Sequence, residues 1–185
     1  MQLRDLNANI TKNFKYGEFV RSETAMKYGI KIEPTEQQWR NIENLCRNIL
    51  QPVADRFGAI RINSGIRTPE LTVACRDINL YLNLKRNNPA ELQRVIANTH
   101  SYHDDGMAAD IEPVGNTTLT ELLEYIATKL PYSQLIAEYF PTGWVHCAYW
   151  QGENGRPKGL LLLKDKNHNY ARVSIDEIKR IYKWY

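Results

Sequence analysis

His103 and Asp110 flank a glycine-containing segment, and His146 lies in the middle of an aromatic, β-branched run. Two imidazoles and one carboxylate form a donor set that Zn²⁺ accepts tetrahedrally while leaving its fourth position to water. This is the donor set of catalytic rather than structural zinc, because water held there becomes acidic enough to act as a nucleophile near neutral pH. Such chemistry needs a base to take the water proton. Glu138, on the run that precedes and pairs with that of His146, is the best-placed carboxylate in the chain.

The neighbouring polar residues read differently. His100, three residues before His103, is the competing ligand, although a polar loop can bring a histidine near a metal without ligation. His168, in KDKNHNY, reads as a solvated turn residue, and Asp104 and Asp105 as loop carboxylates facing water. Asp110 sits in the apolar run MAADIE, where a buried acid demands a specific partner, either an arginine or a metal. Ser101 has no base and orienter arranged around it, so its hydroxyl is expected to bond within its loop or to substrate rather than to act as a nucleophile. Cys147 directly follows His146, so in a strand their side chains point to opposite faces and Cys147 reads as a core thiol.

The elements that must position these residues show in the periodicity. Thr35 to about Phe57 carries Trp39, Ile42, Leu45, Cys46, Ile49, Leu50 and Val53 at helical spacing, with a Thr35/Gln38 capping box and a kink or break expected near Gln51, before Pro52. AIRINS, Ala59–Ser64, alternates as a strand ending in the turn pair Ser64-Gly65. Pro69 to about Leu84 reads as one helix, followed by a second short helix and the polar loop that holds His100 and His103. Met107–Glu112 reads as a buried strand, and Thr118 with Glu121 caps a helix ending before Pro131. SQLIAEY and GWVHCAYW, joined by Pro141–Gly143, predict an antiparallel strand pair. LLLL and a polar turn then lead to a final helix with a Ser174/Glu177 box and Ile175, Ile178, Ile181 and Tyr182 on one face. That helix is expected to close the domain by packing on it, while WQGENGRPKG and IKRIYKWY mix aromatic and basic residues that could also touch a glycan strand, a nucleic acid or a neighbouring subunit. Without regular βαβ alternation the pattern predicts an α+β fold.

Composition sets the outer bounds. The 185 residues are 43% apolar and 24% charged, the balance of an ordinary globular domain. A single domain of this size buries roughly 70% of its unfolded surface and needs no metal merely to fold. A net charge of +3 is too small and too evenly spread for nucleic acid to be the main partner. The apolar run Leu160–Leu163 is far short of the roughly 20 residues of a membrane span, and MQLRDLNANITKNF has no hydrophobic signal core, so synthesis in a cytoplasm without export is expected. Cys46, Cys75 and Cys147 are odd in number and lack CxxC spacing, reading as reduced, mostly buried thiols.

The site residues also resemble a family: the zinc peptidases that include D-alanyl-D-alanine carboxypeptidases and dipeptidases and many phage endolysins, whose fold recurs in the hedgehog signalling domain. The family pattern SxHxxGxAxD is filled by Ser101 to Asp110, and WxH by Trp144-Val145-His146. Ser64-Gly65-Ile66-Arg67 resembles the SGYR segment, with Ile66 in place of tyrosine, and Gln134–Glu138 resembles QLIxE. NFKYGEFVRSETA and ILQPVADRFG are similar to leader segments of the subgroup common in phage genomes, so the resemblance covers about residues 14–149. It implies a hedgehog/DD-peptidase-like small antiparallel sheet flanked by helices, within one domain over 1–185 in which 150–185 is an extension packing on the core. It implies zinc bound by His103, Asp110 and His146, Glu138 as general base, and Arg67 binding substrate or the oxyanion, with Ser101 a further substrate contact. Peptidoglycan stem peptide is then the expected substrate, cut by a carboxypeptidase or endopeptidase that is phage-encoded and acts at the host wall or from the virion. The alternative from another class is a non-catalytic zinc-containing virion or wall-binding module. About twenty extra residues, including NLYLNLKRNNPAELQRVIAN, lengthen the connection before His103 and are expected to place a helix near the cleft.

Overall fold

The structure is a computed structural model that describes residues 4–151 and 159–182. It is a mixed α+β fold built on one six-stranded sheet, order β1-β2-β4-β3-β5-β6. The strands are β1 (Ile60–Ser64), β2 (Ala108–Pro113), β3 (Gln134–Glu138), β4 (Trp144–Ala148), β5 (Leu160–Lys164) and β6 (Tyr170–Arg172). The expectation of a purely antiparallel sheet is corrected, because β5 runs parallel to β3. The segment after residue 150 therefore adds two strands to the sheet itself as well as a helix upon it.

Around the sheet lie α1 (Glu23–Tyr28), α2 (Glu36–Leu45), α3 (Gln51–Phe57), α4 (Pro69–Arg76), α5 (Ile78–Asn87), α6 (Pro89–Ala97), α7 (Leu119–Lys129) and α8 (Ile175–Tyr182). The long helix expected from Thr35 keeps its capping box, and Pro52 is accommodated without a break. A π turn over Cys46–Leu50 shifts the ladder so that Gln51 N–H bonds Cys46 C=O, just ahead of the missing proline N–H. The single helix expected over 69–84 is two helices. Asp77 adopts an extended conformation and caps α5 through its side chain, accepting from Leu80 N–H at 2.9 Å.

Strand alternation gives the sheet two faces of different character. One carries Ala109, Ile111, Leu135, Ala137, Val145, Cys147 and Leu161, buried with residues of α2, α3 and α7 in the main core. Ile178 of α8 joins that core, whereas Ile181, expected on the same buried stripe, is exposed because it lies off the contact face. A second core unites α1, α4, α5 and α6 through Ala25, Leu71, Tyr81 and Leu92, so the extra residues before His103 form a packed helical layer. No helix among the described residues is long and apolar enough to cross a membrane. Most of WQGENGRPKG and the final three residues lie outside the described residues.

Candidate metal centre

Register puts the chemistry on the other sheet face. Asp110 on β2 lies opposite His146 on β4, and Ser64 on β1 lies opposite Asp110. Directly opposed residues share a face, so their side chains meet. His103 comes from the loop before β2, which is tied to α2 by Gln38 Nε2 donating to Asp104 C=O at 2.6 Å and Asn41 Nδ2 to Asp105 C=O at 2.7 Å. Both glycines of the motifs have a steric reason. Gly106 has φ +70° and a Cβ there would lie 2.6 Å from Gln38 C=O, while a Cβ on Gly65 would lie 2.6 Å from the Phe19 backbone.

The three donor atoms converge. His103 Nε2 lies 3.1 Å from His146 Nδ1, His146 Nδ1 3.0 Å from Asp110 Oδ1, and His103 Nε2 3.3 Å from Asp110 Oδ1. Ligands at the roughly 2.0–2.1 Å bond lengths of a tetrahedral metal are separated by about 3.3–3.4 Å, so the triangle already has nearly the required size. His103 Nδ1 donates to Gly65 C=O at 2.7 Å, which leaves Nε2 as a lone pair unless the ring is charged. Burial lowers the His103 pKa, favouring the neutral ring. Asp110 is an ionised acceptor: burial alone would raise its pKa, but the adjacent His103 and His146 hold it well below the usual range. At most one proton, on His146 Nδ1, then lies among three acceptors, an arrangement that a cation relieves. His146 Nε2 is buried without a hydrogen-bond partner. Together, His103, Asp110 and His146 could hold a metal ion.

Arg67 supports the cluster from its edge. Its Nη2 bonds Asp110 Oδ2 at 2.6 Å and its Nε bonds Ser64 Oγ at 2.8 Å, leaving Nη1 uncommitted among the described residues. Asp110 therefore has one of the partners considered from the sequence, an arginine, on one oxygen and the two imidazoles around the other. Outer bonds of this kind fix the orientation of a ligating carboxylate. Ser101 Oγ accepts from His103 N–H at 3.3 Å, a bond within its own loop.

Glu138 is also buried on this face, across from Trp144 and therefore diagonal to His146. Diagonal neighbours lie roughly 7–8 Å apart at the backbone, close enough for side chains to act on one molecule between them. Glu138 Oε2 accepts from Lys164 Nζ at 2.8 Å. Nothing local marks Lys164, since it sits between an apolar run and a polar turn and meets Glu138 only through the parallel register of β5.

Other expectations separate cleanly. His100 bonds Asp105 Oδ2 at 2.8 Å and stays out of the cluster. Asp104 does not face water: it is buried, accepts from Thr72 Oγ1 of α4, and has its pKa raised by burial. His168 is in a turn, where its Nδ1 meets Tyr139 Oη at 2.7 Å. Cys147 points into the core toward Ala109 C=O and burial raises its pKa strongly; Cys46 is buried as well, but Cys75 is exposed. Comparison with known protein families and with curated proteins finds no match.

Proposed function

We propose that the chain is a zinc-dependent peptidase that hydrolyses peptide bonds of peptidoglycan, of the D-alanyl-D-alanine carboxypeptidase and phage endolysin type. The observation that carries this reading is the convergence of three possible metal-ligand atoms beside a buried carboxylate on the adjacent strand. Two histidines and one aspartate suit zinc with an open position. When bound, Zn²⁺ supplies a Lewis acid and brings the acidity of water toward neutrality. Glu138 takes the proton of the attacking water at Oε1, the oxygen that Lys164 leaves free, as the water oxygen bonds the carbonyl carbon. The same carboxyl returns that proton to the amine nitrogen as the C–N bond breaks. Arg67, held by Asp110 and Ser64, offers Nη1 to charge developing on the carbonyl oxygen. Ser101 keeps the His103 loop in shape and has a hydroxyl proton for substrate.

The substrate class rests on the resemblance of Ser64–Arg67, Ser101–Asp110, Gln134–Glu138 and Trp144–His146 to that peptidase family. A phage-encoded enzyme acting at the host wall or carried in the virion is part of the same proposal. The test is a digest of purified peptidoglycan and defined muropeptides by zinc-loaded wild type and Glu138→Ala, followed by mass spectrometry. Cleavage that disappears in the variant while zinc stays bound is the expected result. No cleavage by stoichiometrically loaded wild type would overturn the reading.

A further inference from the structure

We propose that Lys164 is a positioning residue for Glu138, fixing the carboxylate beside the ligand cluster from a strand that the peptidase motifs do not include. Its catalytic consequence rests on the peptidase reading; its structural basis does not. Strand β5 runs parallel to β3 with Glu138 in register with Lys164, and Tyr139 N–H bonds Lys164 C=O at 3.1 Å. Backbone and side chain thus tie the same two positions together, with Lys164 Nζ 2.8 Å from Glu138 Oε2.

The surroundings hold the lysine as firmly as the lysine holds the glutamate. Its ammonium lies 5.0 Å from the Tyr139 ring centroid and 5.2 Å from that of Tyr170, a geometry that favours a cation. The side chains of Lys164 and Glu138 are only 14% and 9% exposed. Burial would strip the lysine of its charge, but bonds to Glu138 and Tyr170 hold its pKa well above the usual value, so the lysine stays charged. An ion pair taken out of water is commonly no more stabilising than apolar side chains of the same shape. What this pair adds is definition: one carboxylate oxygen is committed to Lys164, and Oε1 has no hydrogen bond among the described residues.

The turns that follow both strands are fixed against each other as well. Tyr139, next after Glu138, and His168, in the β5–β6 turn, have φ of 55° and 64°, and the two side chains are joined at 2.7 Å. Left-handed conformations are uncommon in residues other than glycine and persist where the surroundings over-determine them. The region around Glu138 is therefore built for a fixed position rather than for adaptability.

The test compares Lys164→Met and Lys164→Arg with wild type by zinc content, Tm, kcat and KM on a muropeptide, and crystal structures of the zinc-loaded proteins. In Lys164→Met the Glu138 carboxylate should leave its wild-type position and kcat should fall by about 100-fold, the loss typical of a misplaced reacting group, with KM and zinc content unchanged. Lys164→Arg should restore both the position and most of the rate. A Glu138 carboxylate that stays in place in Lys164→Met, or an unchanged kcat in that variant, would overturn the proposal. Should wild type cleave nothing, the peptidase reading falls while the crystal structures still decide whether Lys164 positions Glu138.

Discussion

Filling the cluster with metal should raise thermal stability by an amount that the geometry bounds. The donor atoms lie 3.0–3.3 Å apart in the folded chain, whereas unfolding separates His146 from Asp110 and His103 by 36 and 43 residues of chain. Metal therefore binds the folded state far better than the unfolded one. At free metal 1,000-fold above Kd the stabilisation is about 4 kcal/mol. In a chain of this size each kcal/mol moves Tm by about 2–4 °C, so the expected rise is about 8–16 °C. His146→Ala is the cleanest perturbation. His103 also bonds Gly65 and Asp110 also pairs with Arg67, but among the described residues the His146 ring hydrogen-bonds only the other two donors, and its Nε2 has no hydrogen-bond partner. Calorimetry of chelator-treated protein titrated with Zn²⁺ at neutral pH should show the full rise in wild type and most of it lost in His146→Ala. An equal rise in the variant, or none in wild type, would refute the argument that these lone pairs converge to bind a cation.

Further outcomes follow from individual contacts. Gly106→Ala places a Cβ at φ +70° against the Gln38 carbonyl, so urea unfolding should show a loss of about 2 kcal/mol or more, together with weaker metal binding. Arg67→Lys cannot bridge Asp110 Oδ2 and Ser64 Oγ together, and competition with a chelator should show metal affinity reduced by about 10- to 100-fold. Bonds from the Thr118 backbone N–H and hydroxyl hold Glu121 below its ordinary pKa of 4.5. The unfolded chain takes up that proton first, so the contribution of Glu121 is complete above pH 4.5 and is lost as pH falls through the lower folded value. Glu121→Gln should therefore lower Tm at neutral pH and leave it nearly unchanged in strong acid, as read by thermal melts across that range.

The parts of the fold that were legible from the chain are those encoded locally. The Thr35/Gln38 and Thr118/Glu121 boxes start helices as read, because each pairs groups three residues apart. The β3–β4 pair was readable from its short turn and composition. Asp77 was not, since an aspartate within an apolar-periodic stretch looks the same whether it faces solvent or caps a new helix. Leu160–Leu163 lacks the alternation of a half-buried strand, and its parallel pairing with β3 is a non-local choice that no window of sequence reveals. At the site, donor types and motif spacing singled out His103, Asp110 and His146, which the β2–β4 register and the loop tied to α2 bring together. Asp104 escaped because a polar loop reads as solvated until α4 is packed against it. Lys164 escaped for the same kind of reason, its partner being 26 residues away on another strand.

The metal centre is tested by a crystal structure of zinc-loaded wild type with anomalous data collected on both sides of the zinc absorption edge. A single strong zinc peak is expected, bonded to His103 Nε2, His146 Nδ1 and Asp110 Oδ1 at the roughly 2.0–2.2 Å usual for such ligands. A peak held elsewhere, or no peak between these atoms in protein that carries one zinc per chain, would contradict that assignment.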